Sequence, residues 1–127
     1  MDNRLTLVNK EVWNLFIYPG EVLEVRIPKV YGKDSSWRYS FAKGTVSGYF
    51  DDHEAFCKAV HAADKSNHDG IYFTVQVIDP RLIGRAYNRL KPSQLTTSDY
   101  NVLKYRWIPV DIDPVRPAGI SSSDTEL

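Results

Sequence analysis

Cysteine is nearly absent from this chain: Cys57 stands alone, so no disulfide can form within it. A lone thiol fits a reducing compartment and leaves stability to the apolar core. Long apolar runs are missing too, and none approaches the stretch of about 20 residues that a membrane-spanning helix needs. The opening Met1-Asp2-Asn3-Arg4 has no apolar core behind a positive head, so no secretory signal is expected. The expected location is cytoplasmic, with no membrane partner. Net charge is absent as well, since 16 Lys+Arg balance 16 Asp+Glu, which denies the whole molecule a strong pull on polyanions. No repeat, low-complexity tract or linker-like Ser/Gly/Pro stretch divides the chain.

What is present suits one folded domain: 127 residues, 43% hydrophobic and 25% charged. Val12, Leu15 and Phe16 recur at helical spacing between Asn9 and the turn signal Pro19-Gly20. Leu23, Val25 and Ile27 alternate with Glu24 and Arg26, which predicts a strand with those three on one face. Trp37–Ala42 and Thr45–Phe50 are two further expected strands. Asp51-Asp52 opens the clearest helix, whose apolar face is Ala55, Phe56, Ala59, Val60 and Ala63. Ile71–Ile78 reads as a well-buried strand, and Asp79-Pro80 as a second helix start with Leu82, Ile83, Ala86, Tyr87 and Leu90 inward. Gly84 weakens that helix by up to about 1 kcal/mol relative to alanine. The last expected strand is Tyr105–Asp113, with Pro109 favouring an edge position or a bulge near its start. Interleaved helices and strands predict an α/β or α+β layer, helices packed on a mixed sheet.

Two features bear on function. Arg81, Arg85, Arg89, Lys91, Lys104 and Arg106 lie between Pro80 and Trp107 against a single acid, Asp99. On the expected helix Arg81, Arg85 and Arg89 fall on one face, where they would meet a nucleic-acid backbone or merely solvent. The second feature is Trp107-Ile108-Pro109-Val110-Asp111-Ile112-Asp113-Pro114. At period two Asp111 and Asp113 project from one face of a strand, while Val110 and Ile112 pack against the other. Adjacent carboxylates repel unless a cation lies between them, and hard cations such as Mg²⁺ favour such oxygen donors. The plain alternative is a pair of solvated acids.

The run WIPVDIDPVRPAGISSSDTEL, Trp107 to Leu127, resembles the first catalytic motif of primase–polymerases of the archaeo-eukaryotic primase superfamily. The closest likeness is to the forms in replication proteins of phages, plasmids and integrated elements. The similarity extends through Ile71–Leu90, Ser47–Phe56 and Pro19–Ile27, and Gln76 stands where such sequences often show an asparagine. The resemblance implies that Asp111 and Asp113 bind Mg²⁺ or Mn²⁺ for two-metal nucleotidyl transfer, with a DNA template and nucleoside triphosphates as partners. It also implies a downstream Ser-x-His-type nucleotide motif and a later carboxylate. Ser123-Asp124-Thr125-Glu126 is a capping-box pattern with only Leu127 after it. The expectation is therefore an N-terminal fragment of the catalytic domain, lacking its C-terminal part, inactive alone, with 114–127 a mobile tail. Arg116 lies at a distance suited to a phosphate contact, or to orienting one of the acids.

His53, Cys57 and His61 recur every four residues on the clearest helix, but the outer pair is separated by about 12 Å, too far to share one ion. A zinc site there would need donors from elsewhere, His68 being the evident one. Two rivals to catalysis stand beside the resemblance. One is a non-catalytic module for single-stranded nucleic acid, using the basic stretch and aromatic residues. The other is a protein-interaction domain.

Overall fold

The computed structural model describes residues 9–31, 44–65, 67–68, 70–92 and 95–112. The expected strand Trp37–Ala42, the tail 114–127 and its capping box lie outside them. The first helix, α1 (Lys10–Phe16), begins where the Asn9 side chain accepts the Val12 amide at 2.9 Å. Trp13 and, at its C-cap, Ile17 point inward, with Phe16 half-buried, whereas Val12 and Leu15 face solvent. The expected apolar face is thus rotated, because Trp13 offers the core the larger apolar surface.

Strands β1 (Leu23–Tyr31) and β2 (Gly44–Phe50) pair antiparallel, from Leu23 opposite Phe50 to Ile27 opposite Val46. Leu23, Val25, Ile27, Val46 and Phe50 share a face and form one core with Trp13. The helix α2 (His53–Asp64) covers that face with Phe56, Val60 and Ala63, as its periodicity predicts. Asp52 caps it by accepting the Ala55 amide at 3.0 Å. The free edge of β1 is taken by β3 (Asn67–His68) and β4 (Tyr72–Phe73). Beyond β2 lies β6 (Lys91–Pro92), and β5 (Val77–Ile78) pairs with β7 (Val102–Lys104) in a separate ribbon. The class is α+β. Among the described residues every strand ladder is antiparallel, and only the isolated Tyr49–Tyr87 bridge is parallel, so the sheet is not the mixed one expected.

Three elements depart from expectation, each for a local reason. Ile71–Ile78 is not one strand: at Thr74 the side-chain hydroxyl accepts the Glu24 amide at 2.9 Å, displacing the next ladder bond, and the chain leaves β1 for β7. The second helix is a 3₁₀ segment, Pro80–Arg85, ended by competition from β2. The Ala86 carbonyl accepts the Tyr49 amide at 3.0 Å, and the Asn88 amide donates to the Tyr49 carbonyl at 2.8 Å. Leu82, Ala86 and Leu90 are buried as expected, but Tyr87 is exposed. This crossing needs Gly48, since a Cβ there would lie 1.9 Å from the Arg89 carbonyl oxygen. Finally, the expected last strand ends its pairing at Lys104, and residues 105–112 follow without a ladder.

Candidate metal centre and its anchorage

The segment that carries Asp111 leaves the β5–β7 ribbon just past Lys104, where the main-chain ladder stops. A side chain continues it. The Gln76 Oε1 accepts the Arg106 amide at 2.7 Å and the Trp107 amide at 3.0 Å, while its Nε2 donates to the Trp107 carbonyl at 2.6 Å. A carboxamide has the donor and acceptor of a peptide group, so Gln76 acts here as one more strand residue.

Arg106 fixes the same point from the other side. It forms a two-pronged ion pair with Glu21, one arm at 2.8 Å, and lies 3.8 Å from the centre of the Tyr18 ring. That pairing holds the Glu21 carboxyl below its usual value and raises the already high pKa of Arg106. The Trp107 ring packs 5.2 Å from Phe16, which in turn lies 5.7 Å from Phe73. The root of the segment is therefore tied to α1, to the α1–β1 turn and to the β4–β5 bend.

Beyond Trp107 the chain is open. Ile108, Val110 and Ile112 are 87%, 75% and 86% exposed, so Val110 and Ile112 do not pack beneath the carboxylates as expected. The reason is that no strand among the described residues lies beside them to supply a covering layer. Asp111 is exposed, and Asp113 and Arg116 lie outside the described residues. Among the described residues no three His, Cys, Asp or Glu side chains gather closely enough to hold a metal ion. Among the described residues Asp111 thus stands as a single exposed carboxylate. On α2 the Cys57 Sγ lies 3.3 Å from the His53 Nε2, and His68 instead faces Asp64 at 3.4 Å.

Half of the basic stretch, Arg81, Arg85 and Arg106, bonds to the protein itself. Arg81 closes onto Asp79, with Nη2 2.6 Å from Oδ2. Arg85 turns inward and donates to the Thr96 carbonyl at 3.1 Å. Because the 3₁₀ segment ends at Arg85, Arg89 does not continue a helical stripe with the other two. The expected single face of Arg81, Arg85 and Arg89 is absent.

The far face of β1 and β2 hides a polar cluster. Glu24 is fully buried. It accepts from the Arg26 Nη2 at 2.7 Å, the Ser47 hydroxyl at 2.5 Å and the Thr97 amide at 3.2 Å. Burial works to raise its pKa, but these hydrogen bonds outweigh burial and hold the carboxyl below its usual value. A cavity of about 400 Å³ opens beside it, lined by Arg26, Tyr72, Thr74 and Ser98 among others. Opposite charges two apart on one strand, Glu24 and Arg26, are the sequence signal for this pair.

Among the described residues no helix is long and apolar enough to cross a membrane. Comparison of the chain with models of protein families, with curated proteins and with solved structures gives no match.

Proposed function

We propose that this chain carries the first metal-binding carboxylates of a primase–polymerase-like catalytic domain, with Asp111 and Asp113 as ligands for Mg²⁺ or Mn²⁺. The observation that carries the reading is the setting of the Asp-Ile-Asp-Pro-Val-Arg-Pro run. Its root is locked at Arg106 and Trp107, and its acid end, at Asp111, stands exposed. A rigid base with an accessible oxygen donor is what a site for a metal–triphosphate complex requires. When bound, the ions would supply charge stabilisation for the transferring phosphoryl group and an acidified attacking hydroxyl. The chain's own part is to place the two carboxylates and, at Arg116, to contact phosphate. Two acids leave most of a cation's shell to water and substrate oxygens, so the affinity is weak, on the order of millimolar.

Nucleotidyl transfer needs further donors for the triphosphate and an aligned primer end, and loss of one oriented electrostatic partner commonly costs a hundredfold or more. The direct test is titration with Mn²⁺ followed by amide NMR. Broadening should start at Ile112 and Asp113 and lose that focus in the Asp111→Asn/Asp113→Asn variant. Broadening centred on His53, Cys57 and His61 would move the metal to α2 and defeat the reading.

One observation favours a second reading, a module for single-stranded nucleic acid. Tyr87, Tyr100 and Tyr105 are exposed and offer stacking faces. With Arg85 and Arg106 engaged within the fold and Arg81 paired at the surface, such binding would draw on few free cations and would be weak. It would also ignore Mg²⁺, which separates it from the first reading.

A further inference from the structure

We infer that Gln76 is the positioning residue for the carboxylate segment, holding the path of the chain from which Asp111 projects. The inference rests on the reading of Asp111 and Asp113 as metal ligands. The ladder between β5 and β7 ends at Val77 opposite Lys104, and nothing in that ladder directs the chain beyond it. Gln76 supplies the direction through a single carboxamide that engages both amides and one carbonyl of Arg106 and Trp107.

Three hydrogen bonds from one half-buried side chain fix both position and rotation of the Trp107 peptide, which one bond cannot do. The Arg106–Glu21 pair anchors a side chain, whereas Gln76 grips the main chain itself. Asp111 lies four residues on, close enough for a change in the heading of Trp107 to swing it by several ångströms, since extended chain advances about 3.3 Å per residue. A carboxylate that must meet a cation together with Asp113 and substrate oxygens is sensitive to that displacement.

Chemistry sets the test. Gln76→Ala removes the clamp. Gln76→Glu keeps the shape, but its carboxylate confronts the Trp107 carbonyl with a second acceptor. Once protonated, the same carboxyl regains a donor and should restore the clamp, so its effect is pH-dependent where that of alanine is not. The readout is hydrogen exchange at the Arg106 and Trp107 amides in the full chain, expressed as protection over the unfolded rate, with β1 and β2 amides as the control for folding. Gln76→Ala should lose protection at those two amides by roughly tenfold near neutral pH, the scale of losing one well-made hydrogen bond, and Gln76→Glu by less, since its carboxylate still accepts both amides while it repels the Trp107 carbonyl. In Gln76→Glu protection should return on acidification.

Mn²⁺ titration then reads the consequence: half-broadening at Ile112 should need about threefold more Mn²⁺ in Gln76→Ala, a loss smaller than removal of a ligand. Unchanged protection in both variants, or a Gln76→Glu profile flat in pH, overturns the clamp. If Gln76→Ala fails to fold, the pH response of Gln76→Glu decides. A wild-type chain that gathers Mn²⁺ at Asp111 with affinity unmoved in Gln76→Ala overturns the positioning role and keeps the metal reading. A wild-type chain that shows the clamp but never gathers Mn²⁺ there overturns the metal reading and keeps the clamp.

Discussion

Glu24 shows how a charge can belong to a core. Its neighbours Leu23 and Val25 meet α2 on one face, while its carboxylate meets Arg26, Ser47 and Thr97 on the other. A carboxyl held below its usual value stabilises the fold only while ionised. Its contribution is complete above the unfolded value of 4.5 and fades as pH falls through the lower folded value. Glu21, lowered by Arg106, adds to the same acid limb. Glu24→Gln should therefore reduce stability near neutral pH by about 2 kcal/mol, less than a fully enclosed pair because Arg26 is partly exposed. Its stability should also depend less on pH below about 4.5. Urea denaturation across that range measures both, and an acid limb as steep as the parent's would remove Glu24 as its source. The sequence alternation placed Glu24 and Arg26 correctly on one face of β1. It could not show that the distant loop at Thr97 would cover that face.

Among the elements, α2 was the most legible, because its cap and its apolar spacing are local signals that point the same way. Its other support was not legible. Asn88, from a segment more than thirty residues on, accepts the Asp51 amide at 3.0 Å and the Asp52 amide at 3.3 Å, and donates to the Asp51 carboxylate at 2.7 Å. It does so from a left-handed backbone, φ 49°, which asparagine tolerates better than most residues. Asn88→Ala should lower stability by about 1–2 kcal/mol, through the lost cap bonds and the strained backbone together. Asn88→Gly should fall between it and the parent, since glycine relieves the strain alone. Thermal melts followed by circular dichroism distinguish them, and equal losses would mean that backbone strain contributes nothing. The same long-range bonding explains the misread elements. Pattern reading assigned Ile71–Ile78 one strand and Pro80–Leu90 one helix, and in both a tertiary hydrogen bond cut the local preference short.

For the molecule as a whole, the α+β class and the core along β1, β2 and α2 followed from periodicity. The candidate site followed only in part. Asp111 was marked by its spacing from Asp113 and by the resemblance of the run around it, whereas the Gln76 clamp depends on a side chain replacing a strand, which no local pattern announces. The exposed course from Trp107 to Ile112 carries a further consequence, for the chain in crowded solution. Past Trp107 it lies outside any ladder among the described residues and exposes Ile108, Val110 and Ile112, which makes it a template for stacking one molecule upon another. Pro109 sits in the middle of it, without an amide to donate and with a ring that resists a flat ladder. Replacing it, as Pro109→Val, should leave the melting temperature nearly unchanged and shorten the lag before thioflavin-positive assembly several-fold. An unchanged lag would assign the protection elsewhere. On this view the residue that spoils the strand is what lets the segment stay open to solvent without recruiting its own copies.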